Sequence, residues 1–174
     1  YFEGMWAFAI LDSYKNQIFL SRDPFGEKPL YYSFNGSNFL FGSEIKYLLL
    51  LDDTNSMKEI NYSYLKNYIT YGYKILNKSN KTYYKNIIKL ESGTNLVVKL
   101  NSKEFIKKKY FKFNKNKKNS NNSEKEIVNN IENLLTNSLK IRLRSDVPVA
   151  FCLSGGIDSS LLAAIAKKKT WERH

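Results

Sequence analysis

The chain has 174 residues, enough for one medium-sized domain or for parts of two. Hydrophobic residues make up 43% and aromatic residues 15%, so the chain as a whole is not disordered. The net charge is +12, but the lysines concentrate in an Asn- and Ser-rich stretch that does not form a reading surface, which argues against specific nucleic-acid binding.

The chain shows no feature of a secreted or membrane protein. No apolar run approaches the length of a membrane span, and the N-terminus lacks a secretory pattern. The single cysteine, Cys152, excludes an intrachain disulfide and fits a reducing, cytoplasmic compartment. Because the chain does not begin with Met, we interpret it as a piece of a longer protein.

The first two thirds of the chain predict an antiparallel meander with a few helices. An apolar run over 1–12 predicts a strand buried on both faces. Further strands are predicted from turn signals and alternating segments at 17–22, 30–34, 38–42, 94–100 and 105–113. Helices are predicted over 45–50, with Ser43 as N-cap, and over 61–73, and Gly93 is expected to adopt a positive φ.

The segment from Arg22 to Tyr32 contains Asp-Pro and a glycine two residues later, which predicts a tight loop. Arg22 and Asp23 are expected to form an ion pair that orders this loop and takes no part in catalysis. The meander contains no Ser/His/Asp grouping, and His174 lies at the end of the chain without partners in the sequence pattern.

A polar, low-complexity stretch over 114–123 predicts a linker. Ser123 and Glu126 then form a capping-box pattern at the start of a helix that extends to about Arg144. One apolar stripe along this helix is expected to be core; it consists of Ile127, Ile131, Leu134, Leu135 and Leu139. Arg142 and Arg144 are interpreted as solvated helix-end charges, with steering of an anionic ligand toward the loop that follows as the alternative.

The segment 147–153 is apolar and predicts a buried strand with Cys152 in the core. A Ser/Gly loop follows, and then a helix rich in strong helix formers. Strand, glycine loop and helix together are typical of an anion site, because loop N–H groups and the positive end of the helix dipole converge there. Ser154, Ser159 and Ser160 add hydroxyl groups. The simpler alternative is a plain strand-to-helix turn with Asp158 or Ser159 as N-cap.

Asp158 changes the kind of anion site that the sequence predicts, because its carboxylate is negatively charged. A carboxylate repels a bare phosphate, but a carboxylate and phosphate oxygens together are the usual environment of Mg²⁺. The loop has neither a Walker A sequence nor a Gly-x-Gly-x-x-Gly pattern, which disfavours P-loop and dinucleotide-binding proteins.

The run Ser154-Gly155-Gly156-Ile157-Asp158-Ser159 resembles the pyrophosphate-binding loop of the ATP pyrophosphatases, which split ATP into AMP and pyrophosphate to adenylate a substrate. Upstream, the runs that start at Gly4, Arg22 and Gly42 (GMWAFA, RDPFGEKPLYY and GSEIK) resemble the later half of a class II glutamine amidotransferase domain. In this order, over 1–113 and 123–169, the chain resembles the glutamine-hydrolysing asparagine synthetases.

The resemblance implies a fold in two incomplete parts. The first is α+β, with antiparallel sheets of the Ntn-hydrolase type, and is expected over 1–113. After the linker, 124–174 is expected to begin an α/β domain with a parallel sheet like that of the adenine-nucleotide alpha-hydrolases. The glutaminase Cys of the family lies upstream of Tyr1, so the chain alone is expected to be inactive.

The resemblance also implies the reaction and its site. Aspartate, ATP and glutamine would give asparagine through a β-aspartyl-adenylate, with ATP and Mg²⁺ as cofactors and no nucleic-acid or membrane partner; a homodimer is compatible with this. The pyrophosphate would be held by Ser154, Gly155, Gly156, Ser159 and Ser160, with Leu153 beside the nucleotide and Asp158 on Mg²⁺. The open alternatives are a related ligase acting on another carboxylate, a basic nucleic-acid-binding module, and a degenerate piece without activity.

Overall fold

The computed structural model describes residues 2–72, 79–112 and 123–171. Its contacts divide the chain into two compact units. The N-terminal unit is Met5–Phe113, and the C-terminal unit is Asn114–His174 together with Tyr1–Gly4. Apart from Ser123, the predicted linker over 114–123 lies outside the described residues.

The N-terminal unit is built from antiparallel strands in two sheets. The strands are β1 (Ala7–Asp12), β2 (Gln17–Arg22), β3 (Tyr31–Phe34), β4 (Phe39–Gly42), β5 (Ile88–Lys89), β6 (Thr94–Lys99) and β7 (Glu104–Lys109). One sheet has the order β1-β2-β6-β7 and the other the order β4-β3-β5. Every pairing is antiparallel, which agrees with the predicted meander and with Ntn-type sheets.

The main core of this unit draws on both sheets. Along β6, Leu96 and Val98 are buried, because alternate side chains of a strand point to the same face. The cluster consists of Leu20, Leu30, Tyr32, Leu90, Leu96 and Val98. A smaller cluster of Leu48, Met57 and Ile87 joins the helical segments to the sheets.

In the described part of this unit, three helical segments connect the strands. They are α1 (Ile45–Leu50), a 3-10 turn (Ser56–Lys58) and α2 (Tyr62–Tyr71). The N-cap of α1 is Glu44, whose side chain makes no capping bond, so the prediction of Ser43 as the cap is wrong. At α2 the side chain of Asn61 caps the helix by accepting a hydrogen bond from the N–H of Tyr64.

The prediction of a doubly buried strand over 1–12 is wrong. The strand begins at Ala7 and lies at the edge of its sheet. Ile10 is 53% and Leu11 66% exposed. The physical reason is that an apolar run predicts a strand but does not reveal its place in the sheet, and an edge strand has only one neighbour.

The described residues of the C-terminal unit form two helices, α3 (Glu124–Arg142) and α4 (Ile157–Trp171). The predicted capping box is present at α3, where Ser123 and Glu126 bond reciprocally. Where α3 packs against α4, Thr136 and Ala166 are buried, and Lys168 Nζ lies 3.8 Å from Glu132 Oε1.

The stripe predicted as the core of α3 is only partly covered. Ile127, Ile131 and Leu134 are exposed, and Leu134 is 70% accessible; Leu135 and Leu139 are half-buried. The prediction of a core stripe is therefore wrong for its first three members. In the described residues, this unit offers α3 few packing surfaces other than α4.

The predicted buried strand over 147–153 is absent from the described structure, and Cys152 is exposed. A strand needs a hydrogen-bonding neighbour, and the described part of this unit contains no other strand. The expected parallel sheet is therefore not seen. Among the described residues, no helix has the length and hydrophobicity that a membrane crossing requires.

Candidate functional site

The Ser/Gly loop lies on the surface, directly before α4. Gly155 has φ of +79°, a conformation that side chains other than glycine's rarely adopt, and a Cβ built on it would have no neighbour within 4 Å. Beside the loop, Leu153 is 62% exposed. The loop backbone is therefore open to an approaching ligand, and its shape at Gly155 depends on glycine.

Two serine hydroxyls hold this loop in a closed turn. Ser154 Oγ and Ser159 Oγ are 3.1 Å apart. Ser154 Oγ also accepts a long hydrogen bond of 3.4 Å from the N–H of Gly156. Ser159 Oγ is placed to donate to the carbonyl of Gly156 at 3.2 Å. The two serines thus fix the glycine pair from both ends before any ligand is present.

The first turn of α4 contains the other predicted site residues. The helix begins at Ile157, and the N–H of Ser160 donates to the carbonyl of Gly156 at 3.2 Å. Asp158 and Ser159 therefore lie inside the helix, and the alternative in which one of them is the N-cap is wrong. The first N–H groups of a helix have no partner within it and carry its positive dipole end, so this terminus suits an anion.

The Asp158 side chain fits a shared magnesium site better than an all-protein one. The residue is exposed, and the described residues contain no group of three His, Cys, Asp or Glu side chains that would hold a metal. Mg²⁺ is commonly held by one or two carboxylates plus substrate phosphates. Asp158, in the first turn of α4 after the Ser/Gly loop, supplies the one carboxylate that such a site needs from the protein.

The contacts that the structure describes for the two arginines before the loop, Arg142 and Arg144, do not place them in the site. The guanidinium of Arg142 donates to Ser138 Oγ at 2.9 Å, one turn back along α3. Arg144 is exposed. Neither the bond of Arg142 nor the exposure of Arg144 indicates a role in binding a ligand.

The predicted ion pair between Arg22 and Asp23 is wrong: the described residues show no such pair, and each side chain binds backbone. The Arg22 guanidinium donates to the carbonyls of Lys28, Leu90 and Gly26 at 2.6–2.7 Å. Asp23 accepts three backbone N–H groups at 2.9–3.0 Å. The two residues do order the loop, as expected, but they do so through hydrogen bonds to its backbone, which residue type alone does not predict.

Burial and hydrogen bonds shift both pKa values. Burial lowers the pKa of the Arg22 guanidinium, and the nearby Asp23 carboxylate opposes this. Burial raises the pKa of the Asp23 carboxyl, but the backbone N–H bonds, with that of Lys28 the largest, together outweigh it and bring the pKa below its ordinary value. The lowered pKa keeps the Asp23 carboxylate charged at neutral pH, and the guanidinium stays charged because the ordinary pKa of arginine is far above neutral.

Comparison with known proteins identifies both parts of the chain. The family model of a glutamine amidotransferase domain matches residues 1–111, and that of asparagine synthase matches residues 130–173. The chain belongs to the glutamine-hydrolysing asparagine synthetase family. Members of this family are ligases that use ATP.

Named relatives agree with this family. The chain is 38% identical, over 97% of its length, to a Methanocaldococcus jannaschii protein whose provisional name is glutamine-hydrolysing asparagine synthetase 2. It is 32% identical over 95% of its length to asparagine synthetase 1 of Bacillus subtilis, and 31% identical over 95% to asparagine synthetase 2 of that organism. The chain spans 32%, 25% and 23% of these three relatives.

Proposed function

We propose that the protein is a glutamine-dependent asparagine synthetase. The side-chain carboxylate of aspartate attacks the α-phosphorus of ATP, pyrophosphate leaves, and a β-aspartyl-adenylate forms. Ammonia released from glutamine then displaces AMP to give asparagine. Two family matches in one chain, in this order, support the pairing of a glutamine-using part with an ATP-using part.

The proposal divides the chain as the sequence predicts: a glutaminase part over 1–113, a linker over 114–123 and the start of the synthetase part over 124–174. The observation that carries the synthetase role is the exposed Ser/Gly loop, held by Ser154 and Ser159 at the N-terminus of a helix. Such a turn leads into the first N–H groups of the helix and the positive end of its dipole, which an anion can approach from the surface.

Each loop residue has a proposed role in holding the pyrophosphate part of ATP. The backbone N–H groups of Gly155 and Gly156 and the hydroxyls of Ser154, Ser159 and Ser160 would donate hydrogen bonds to its oxygens. For this, the Gly156 N–H and the Ser154 and Ser159 hydroxyls exchange their bonds within the loop for bonds to the ligand. Leu153, which is 62% exposed, offers an apolar surface beside the nucleotide. As the bond to pyrophosphate breaks, negative charge grows on the leaving oxygens, and preorganised donors stabilise that charge.

Asp158 is the proposed Mg²⁺ ligand. When bound, Mg²⁺ supplies neutralisation of the charge on the departing pyrophosphate. Asp158 contributes an exposed carboxylate from the first helical turn, beside the N–H groups that would bind the same phosphates. Without a cation, this carboxylate opposes phosphate binding.

The test is Asp158→Ala in the protein at its natural length. We expect aspartate-dependent pyrophosphate release to fall by at least about 100-fold, because metal charge neutralisation contributes several kcal/mol. Glutamine hydrolysis should persist. The matched control is Asp146→Ala, which removes another exposed aspartate of the same unit outside the loop and should leave both activities unchanged.

Two results would count against the proposal. Equal loss of both activities in Asp158→Ala would show that Asp158 does not act specifically in the ATP step. Pyrophosphate release that is faster with another carboxylate than with aspartate would keep the ligase chemistry but reject asparagine as the product.

A further inference from the structure

The N-terminal unit contains a cavity of about 620 Å³, and none of the residues assigned above to the proposed reaction lines it. Two of its lining residues, Lys89 and Lys109, lie on β5 and β7, which are edge strands of different sheets. Arg22, at the end of β2, and Glu91 and Ser92, which follow β5, also line it. This volume is in the ordinary range of small-molecule sites.

The charged side chains of this cavity are mostly positive. Among the described residues, Arg22, Lys89 and Lys109 line it together with one acid, Glu91, so the formal charges of these four sum to +2. Lys109 Nζ lies 3.7 Å from Glu91 Oε2, and both side chains are about half exposed. This weak ion pair offsets one of the three positive charges.

The Arg22 guanidinium is a fixed charge. Its three hydrogen bonds to the carbonyls of Lys28, Leu90 and Gly26 hold it in place but do not cancel its charge. It therefore contributes a steady positive potential at one wall, while lysine side chains adjust to a ligand.

Lys89 lies in this field. Burial lowers the pKa of its ammonium group, and the positive charge of Arg22 lowers it further. Two like charges are thus held near each other in a partly dehydrated place, an arrangement that an anion between them would relieve.

We propose that this cavity binds a small oxyanion with two negative charges, of the phosphate or dicarboxylate class. Its net charge of +2 matches such a ligand, and Lys89 and Lys109 supply donors from two sides. Lysines on edge strands discourage pairing with another chain, which would explain Lys89 and Lys109 separately. It does not explain why edge strands of two different sheets bring both lysines to one cavity beside Arg22.

Calorimetric titration of the protein at its natural length tests this proposal, with inorganic phosphate and succinate as probes and chloride as the comparison at equal ionic strength. We expect saturable binding of phosphate or succinate, and the stronger probe identifies the ligand class. Lys89→Gln and Lys109→Gln should each weaken binding about tenfold, as loss of a charged hydrogen bond does. Glu91→Gln should tighten binding about threefold, because it removes the opposing charge.

The matched control is Lys108→Gln. It makes the same change in net charge on the same strand, but successive side chains of a strand point to opposite faces, and Lys108 does not line the cavity. The affinity should stay unchanged. Equal weakening by Lys108→Gln and Lys109→Gln would show that only overall charge matters and would overturn the proposal.

The variant Ser154→Ala distinguishes phosphate binding at the Ser/Gly loop of the C-terminal unit from binding at the cavity. Binding that responds to Ser154→Ala, and not to Lys109→Gln, belongs to the loop and overturns the cavity site while leaving the proposed synthetase function intact. Absence of saturable binding by either probe, or a Glu91→Gln variant that binds no more tightly, also overturns it.

Discussion

Asp23 and Asp158 each belong to a glycine-containing loop, and the two loops place their acids in opposite surroundings. Asp23 is fully buried, and its carboxylate accepts the N–H groups of Phe25, Glu27 and Lys28. Asp158 is exposed, in the first turn of α4. The first acid is used by the chain itself, whereas the second is available to a ligand.

This difference shows how to separate a structural acid from a ligand-binding one. In the loop of Asp23, the carboxylate reaches N–H donors two, four and five residues further along, so the loop closes around its own charge. In the loop of Asp158, the neighbouring serine hydroxyls bond to each other and to Gly156. The loop is thus ordered without the carboxylate.

The largest expected effect on stability is that of Asp23→Ala. Loss of the carboxylate leaves three backbone N–H groups in a largely buried place without an acceptor, at a cost of about 4 kcal/mol in the free energy of unfolding. Urea-induced unfolding measures this. Asp158→Ala, at an exposed helix terminus, should change the same quantity by less than about 1 kcal/mol. Similar losses in both variants would break the comparison.

A slightly smaller effect is expected for Gly93→Ala. Gly93 has φ of +60°, and a Cβ there would lie 2.8 Å from Phe111 Cβ, so strain and overlap together should cost about 3 kcal/mol. Gly36→Ala is the control, because Gly36 has φ of +91° with open space around it, and strain alone costs about 1 kcal/mol. Denaturant titration of both variants checks this; an equal loss would exclude overlap as the cause.

The smallest expected effect is the change that pH makes, near neutrality, in the contribution of Asp23 to the free energy of unfolding. Its folded-state pKa lies below the ordinary value, so its contribution to stability is complete above the unfolded-state pKa of about 3.9 and is lost as pH falls through the folded-state value. The difference in unfolding free energy between the wild type and Asp23→Ala should therefore stay constant from about pH 7 to pH 5 and shrink below about pH 4. A change above pH 5 would contradict this assignment.

Features determined by neighbouring residues were predictable from the sequence. The strands predicted over 30–34 and 38–42 pair as an antiparallel hairpin, and the positive φ of Gly93 is present as expected. The capping box of Ser123 and Glu126 is also present. Each depends on contacts within a few residues, and propensity and turn chemistry describe such contacts.

Features that need a distant partner were not predictable. The segment 147–153 has the composition of a buried strand, but a strand also requires a neighbour. Arg22 and Asp23 are adjacent opposite charges, and only the folded backbone shows that Leu90 and the following loop satisfy them. The cavity charges at Lys89 and Lys109 lie far apart in the chain and formed no motif. The roles of the Ser/Gly loop residues remain predictions, now with a described geometry.

The bonds of Arg22 also constrain the order of events in folding. Its guanidinium binds the carbonyl of Leu90, 68 positions away, and its own carbonyl accepts the hydroxyl of Tyr110, 88 positions away. Contacts across such separations incur a large loop-closure entropy and tend to form slowly. The hairpin of β1 and β2 and the bonds within the loop after Arg22 can form locally, whereas the bonds to Leu90 and Tyr110 need distant segments. A ribosome would therefore have to synthesise most of this unit before these two bonds could form.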